Sequence, residues 1–335
     1  MSDATPGSPL VSVVIPCYNR ADLVGATIES VLSQSFDAFE VICVNDGSPD
    51  NTLDVLRGFE PRVKVIDQAN TGVAGARNTG ARAAKGQYLI FLDCDDLLFP
   101  WTLDVFADAI RDHTTETHGG PALVAGLFHP FNEVSSLARY KRLTTESRYF
   151  DDYLRTKASD RPVLPSATVV RRDYYLATGG GEEVRFLFED VEIWLKVGAM
   201  PGFVVIDAPG VAGYRVGHAQ RMGDFKKQLE GFDWIAKKVR DGVLPGGRER
   251  RRDMEDILAV HAKGCAVRCV HAGDKPRGMA FYFRSLGWQI RNREWKFVAG
   301  YPYVWLTGKA PRSPSMVDKP AQIVSAGEPG MAGEG

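Results

Sequence analysis

The run Leu89-Ile90-Phe91-Leu92-Asp93-Cys94-Asp95-Asp96 changes character halfway along. Tyr88 to Leu92 is apolar without polar alternation, the pattern of a strand covered on both faces in a parallel sheet. Three carboxylates follow at once. The carboxyl end of such a strand is where open α/β sheets bind ligands. Asp93 and Asp95, two apart, can both help form one mouth as the strand turns away. Neighbouring anions repel unless a cation lies between them. Oxygen ligands of this kind suit Mg²⁺ or Mn²⁺, ions that commonly accompany a phosphate-bearing substrate. The competing reading is an acidic turn that caps the next helix, with Asp96 as its start.

The 335 residues suffice for one large domain or two ordinary ones, and 44% hydrophobic content supports a substantial core. Lys plus Arg number 41 against 42 Asp plus Glu, which gives no bulk reason to expect nucleic acid as a partner. Five unevenly placed cysteines do not form a disulfide framework and favour a reducing compartment. Met1 to Ser8 lacks the basic-then-apolar order of a signal peptide. No stretch reaches the roughly 20 apolar residues of a membrane span. The expectation is a cytoplasmic protein able to touch a membrane surface.

Working outward, the strand at 88–92 is the fourth of a series. Leu10 to Pro16, Glu40 to Val44 and Val63 to Ile66 read as strands, separated by helices over 21–34 and 50–59. A helix over 72–85 is rich in Ala and Gly, which lets its backbone lie close to a neighbour. Strands interleaved with helices predict a right-handed parallel βαβ sheet. Beyond it, strands are expected at 123–128, 163–171 and 203–206, with an amphipathic helix opening at Phe188-Glu189-Asp190. From Asp224 the pattern is helical. Arg312 to Gly335, rich in Pro, Gly, Ser and Ala, is expected to be disordered.

Three polar strand ends share one edge of that sheet: Pro16-Cys17-Tyr18-Asn19, Asn45-Asp46-Gly47-Ser48 and the triple-Asp cluster. Asp46 could accept from a base N–H or a sugar hydroxyl, and Tyr18 could lie beside a base ring. Taken alone, Asp46-Gly47 is a plain turn signal; its position beside two other polar ends favours a site. Neither glycine cradle for nucleotides is present. Strand one leads into Pro-Cys-Tyr-Asn where a dinucleotide fold needs Gly-x-Gly-x-x-Gly, and no Gly-x-x-x-x-Gly-Lys-Ser/Thr occurs.

Five motifs in order, 13–19, 44–48, Gly75-Ala76-Arg77-Asn78, 92–96 and Glu189-Asp190, resemble those of the family 2 glycosyltransferases. The resemblance covers about residues 9–220. It implies a GT-A fold: an α/β domain with a mainly parallel twisted sheet flanked by helices. The expected layout is a flexible 1–8, a transferase domain over 9–222 divided near residue 110, a helical region over 223–308 and a tail. The resemblance further implies inverting transfer from a nucleotide sugar, usually a UDP-sugar in this family, to a hydroxyl of a glycan or lipid-linked acceptor in cell-surface polysaccharide or glycolipid synthesis. Pro16, Tyr18, Asn19, Asp46, Arg77, Asp93 and Cys94 would serve the donor. Asp95 would be the main ligand of Mg²⁺ or Mn²⁺, and His218 matches a position that supplies a further ligand in some members. Asp190 would be the general base, with Asp96 and Glu189 as supporting residues of the site. Its place at a helix start favours the carboxylate form. Alone, Glu189-Asp190 would be an ordinary acidic first turn. The rival from another class is a non-catalytic nucleotide-sugar-binding scaffold. A nucleotidyltransferase would need a glycine-rich basic loop after strand one, and that loop is missing.

His261, Cys265, Cys269 and His271 could suggest zinc, but positions eight apart lie about 12 Å apart along a helix, far beyond ligand distances of about 2 Å. Residues 237–252 hold seven basic residues against two acidic, a net of +5. Farther on, Trp288, Trp295, Phe297, Tyr301, Tyr303 and Trp305 mingle with Arg291, Arg293 and Lys296. Cations beside interfacial aromatics suit peripheral contact with the cytoplasmic membrane face; the competing reading is a solvated basic face over a helical core.

Overall fold

The computed structural model describes residues 8–115, 119–184, 187–216 and 224–308. The expected tail and His218 lie outside them. In chain order the first half runs β1 (Val11–Cys17), α1 (Val24–Leu32), β2 (Phe39–Asp46), α2 (Thr52–Arg57), β3 (Lys64–Gln68), α3 (Gly72–Ala83), β4 (Tyr88–Phe91), β5 (Leu97–Leu98) and α4 (Thr102–Asp112). Then come β6 (Leu123–Gly126), β7 (Phe128–Phe131), β8 (Glu146–Phe150), β9 (Thr168–Arg171), α5 (Arg172–Ala177), α6 (Glu189–Val197), β10 (Phe203–Ala208) and β11 (Ala212–Arg215). Four helices follow: α7 (Phe225–Asp241), α8 (Arg251–His271), α9 (Lys275–Arg291) and α10 (Trp295–Thr307).

The main sheet has the order β3-β2-β1-β4-β9-β6-β10-β8. β1 pairs parallel with both β2 and β4, and β2 pairs parallel with β3. The far half is mixed, because β9 is antiparallel to β4 and β6, and β8 to β10. A second sheet has the order β5-β11-β7.

Alternate residues of the central strands enter two cores. Val14, Ile42, Val44, Leu89 and Phe91 face one cluster; Val13, Ile15, Val41, Cys43, Ile90 and Leu92 face the other. Both faces are therefore covered, which is why these strands read as unbroken apolar runs. The first cluster continues into the last helices through Phe232, Ile235, Leu258 and Phe281. On the same face α3 lies against β1 at Gly80: a Cβ there would stand 2.3 Å from a Val14 methyl. That contact is the close approach the glycine-rich helix foreshadowed.

Two expected elements differ. Only Thr168–Arg171 of the stretch 163–171 is a strand, because Pro165 removes a donor and opens a 3₁₀ turn over Pro165–Ala167. The stretch 123–128 divides between β6 and β7, which lie in different sheets. Helices α4 and α5 and strands β5, β8 and β11 are additional to the expected elements.

Candidate active site

Register brings the strand ends together. Cys17 lies opposite Asn45, and Val14 opposite Phe91. The Leu92 N–H then donates to the Val14 carbonyl at 2.9 Å, so the chain leaves the sheet at Asp93 beside the loop after β1. A cavity of about 430 Å³ opens on this rim. Pro16, Cys17, Tyr18, Asn19, Asp46, Arg77, Asp93, Cys94, Asp95, Glu189 and Asp190 all line it.

The carboxylates are in different states. Asp46 is 3% exposed and fully engaged. It accepts from the N–H groups of Thr71 and Gly72, both at 2.9 Å, and from Gln68 Nε2 at 2.8 Å. It thereby closes the open end of α3, a favourable place for an anion. Asp93 accepts from Arg77 Nη2 at 2.9 Å. Desolvation lifts the Asp93 carboxyl above its ordinary range and Asp95 adds to the rise, against the pull of Arg77. Asp95 stands 3.8 Å from Arg20 Nε. The side chains of Asp93 and Asp95 are 34% and 21% exposed, open enough to meet a ligand.

Asp96 faces inward. It starts no helix; it accepts from Ser166 Oγ at 2.6 Å and from the Arg215 N–H at 2.9 Å. Burial and the nearby Asp93 hold its carboxyl well above the usual range. Ser166 also accepts from the Asp93 N–H at 3.1 Å, and Arg215 Nε donates to the Asp95 carbonyl at 2.9 Å. Two segments distant in sequence thus fix the acidic turn.

Arg77 is 3% exposed, and its Nη1 stands 4.0 Å from Glu189. Burial opposes its charge, but Asp93, Glu189 and Asp190 outweigh that and raise its pKa. It therefore lies beneath the cavity as a counter-charge to carboxylates on both walls. Among the described residues, its Nε and Nη1 have no hydrogen-bond partner. Asn78, next in the same motif, donates to the Gly181 carbonyl at 2.7 Å and accepts from Tyr175 Oη at 2.7 Å. It ties α3 to the glycine loop ahead of α6.

Tyr18 is 41% exposed at the cavity edge, free to meet a flat ring. Asn19 has φ 54°, a conformation Asn tolerates. Its N–H donates to Ser48 Oγ at 3.1 Å, which links the loops after β1 and β2. Opposite, Asp190 lies in the first turn of α6, after Phe188 with φ 89°. A bulky residue at positive φ is held there only by its surroundings. Arg20, Leu164, Pro165, Leu187, Tyr214 and Arg215 also line the cavity and were not expected from the sequence. Arg20 had a signal, since it adjoins Asn19; the others arrive through long-range packing.

The donor set fits a hard divalent ion. Asp93 and Asp95 present partly exposed carboxylates to the cavity, and their mutual repulsion leaves charge for a cation to offset. Among the described residues no group of three or more His, Cys, Asp or Glu is arranged to hold a metal. An ion here would complete its shell with water and substrate oxygens, as Mg²⁺ commonly does.

Residues 12–175 match the model of glycosyl transferase family 2. A segment of 110 residues is 40% identical to the chondroitin synthase of Pasteurella multocida, covering 32% of this chain and 11% of that protein. The chain spans 26% and 27% of the length of two bacterial glycosyltransferases matched more strongly. Among solved structures, S. aureus TarS 1-349 in complex with UDP-GlcNAc superposes with a TM-score of 0.63 at 17% identity, covering 90% of this chain and 93% of that one. The mannosyltransferase PcManGT from Pyrobaculum calidifontis, in complex with GDP-Man and Mn²⁺, gives 0.51 at 19% identity, covering 90% and 88%. The matched segment 12–175 is thus of glycosyl transferase family 2 type, and the architecture is that of a GT-A fold.

Proposed function

We propose that this protein transfers a sugar, with inversion, from a UDP-sugar to a hydroxyl of a glycan or lipid-linked acceptor in cell-surface polysaccharide or glycolipid synthesis. The observation that carries the reading is that Asp46, Asp93 and Asp95 on the sheet rim and Asp190 at the start of α6 line one cavity. The transferase domain is assigned to residues 9–222, with its nucleotide half before residue 110 and its acceptor half after it. Tyr18 and Pro16 border the base. Asp46 serves chiefly by anchoring α3, and through it Arg77. Mg²⁺ or Mn²⁺ would be held by Asp95, with Asp93 nearer the ribose, and when bound would offset the charge on the departing diphosphate. A neighbour of the same fold is known with UDP-GlcNAc and another with Mn²⁺, which supports this choice.

The chain's own residues then do the rest. Asp190 accepts the proton of the acceptor hydroxyl as that oxygen bonds to the anomeric carbon. The bond from that carbon to the diphosphate oxygen breaks, and the pair of electrons leaves with the diphosphate. Entry from the side away from the diphosphate inverts the centre. A nucleotide-sugar panel read by thermal shift with and without Mn²⁺ tests the donor, since a bound ligand raises the melting temperature. NMR of the product then reads its anomeric configuration. A retained configuration, or no Mn²⁺-dependent shift with any nucleotide sugar, would overturn the proposal.

Peripheral membrane contact is part of the same reading. Phe283, Ile290, Trp295, Tyr303 and Leu306 are exposed on α9 and α10. Among the described residues no helix is long and apolar enough to cross a membrane. Much of the basic charge near it is already committed: Lys237 pairs with Asp241, Arg250 with Asp152, Arg251 with Glu255 and Arg291 with Asp256. The proposed contact is therefore mainly aromatic. Co-sedimentation with anionic liposomes should fall in Phe283→Glu/Trp295→Glu; equal sedimentation would remove it.

A further inference from the structure

We infer that helix α7 positions the proposed base, acting through Gly231, Phe232 and Lys238 on the segment that leads into α6. The inference rests on the reading of Asp190 as that base.

Glycine is the poorest ordinary residue inside a helix, so Gly231 in the middle of α7 calls for a cause. The cause is contact. A Cβ at Gly231 would stand 1.6 Å from the Leu187 carbonyl oxygen and 2.7 Å from its carbon. No side chain stands between: helix backbone meets loop backbone three residues before Asp190. The Leu187 N–H in turn donates to the Lys227 carbonyl in the first turn of α7, at 3.4 Å.

The next residue, Phe188, has the positive φ from which α6 starts. Its ring meets Phe232 of α7 edge-on, with centroids 5.9 Å apart, and His261 of α8 at the same distance. At 6% exposure Phe188 is enclosed, and the two later helices supply the enclosure that such a backbone needs. Third, Lys238 of α7 reaches Glu192 of α6 at 2.5 Å. Glu192 has no exposure, and it also takes Lys196 at 3.0 Å and the Glu182 N–H at 2.8 Å. Lys238 pairs with Glu182 as well. Helix α7 therefore grips Glu182, the bend at Leu187 and Phe188, and Glu192 in the first turn of α6. The donor rim has no such dependence on α7, since sheet register and the Ser166 and Arg215 bonds fix it.

The test uses the full chain with Gly231→Ala and Lys238→Gln, and Gly287→Ala on α9 as control, where nothing lies within 4 Å. Three quantities are read: amide exchange at residues 187–192, UDP affinity in Mn²⁺, and turnover with the donor found by the panel. A displacement of about 1 Å at a reacting group can cost on the order of a hundredfold in rate. The expected result is faster exchange at 187–192 and a fall in kcat of about that size, with UDP affinity and donor KM unchanged. Lys238→Arg should keep turnover near the parent. Should Gly231→Ala fail to fold, Lys238→Gln decides. Parental exchange and turnover in the folded variants would overturn the inference. Full turnover in Asp190→Asn would instead overturn the base assignment, while faster exchange in the α7 variants would still establish the grip.

Discussion

The two walls of the cavity are built by different means. On the wall proposed for the donor, Asp93 and Asp95 follow a strand whose register with β1 is fixed by main-chain bonds. On the opposite wall, Asp190 follows a bend at Phe188 that is enclosed by side chains from α7 and α8. The first wall is local to the sheet. The second depends on packing from residues forty to seventy positions later. A site split in this way can keep its sheet wall constant while the α6 wall, proposed to meet the acceptor, is tuned from outside.

The comparison can be broken from the donor side first. Asp95→Asn should abolish the Mn²⁺-dependent part of UDP binding, a loss on the order of several kcal/mol where a cation would bridge a carboxylate and the charged diphosphate. Calorimetry with and without Mn²⁺ reads it, and unchanged Mn²⁺ dependence would remove Asp95 as the metal residue. Next in size is the packing under the acceptor wall. Trp194 is 2% exposed beneath α6. Trp194→Ala should cost about 3–5 kcal/mol of stability, read by chemical denaturation; a loss below about 1 kcal/mol would show that α6 does not rest on that ring. Ser166→Ala removes a bond from both Asp96 and the Asp93 N–H. It should weaken Mn²⁺-dependent binding by about tenfold to a hundredfold, the usual range for a group that orients a metal ligand.

The smallest effect concerns acid. Burial lowers both His129 and His261 to a pKa of about 4. A free histidine titrates near 6.5. As pH falls below that value the unfolded chain takes the proton first, so stability present above pH 6.5 is lost progressively down to about 4. Asp93 and Asp96, held high, act in the opposite direction. The informative readout is thus the difference between the parent and His261→Gln, whose acid limb should be shallower. Identical limbs would contradict it.

The sheet wall of the cavity was largely legible in the sequence. Apolar runs that end in Pro16-Cys17-Tyr18-Asn19, Asn45-Asp46 and Asp93-Cys94-Asp95 leave little freedom once the strands are parallel neighbours. The states of the carboxylates were not legible. That Asp46 closes α3 while Asp96 bonds Ser166 follows from contacts 25 and 70 residues apart. The β9 segment showed the same limit: Val163 to Arg171 reads as one strand, but Pro165 and the bonds of Ser166 turn its first half. Helix α4 carries Leu103, Phe106 and Ile110 at helical spacing and was open to a closer reading. The role of α7 was hidden because a mid-helix glycine reads as a weakness until the Leu187 carbonyl is seen against it.

One measurement bears most directly on the division of labour between the walls. In Asp190→Asn, UDP affinity in Mn²⁺ and single-turnover transfer should separate, with affinity at the parental value and transfer reduced by about a hundredfold or more, the scale of lost general-base catalysis. Parental transfer in that variant, or a loss of affinity that accounts for the whole decline, would contradict the account.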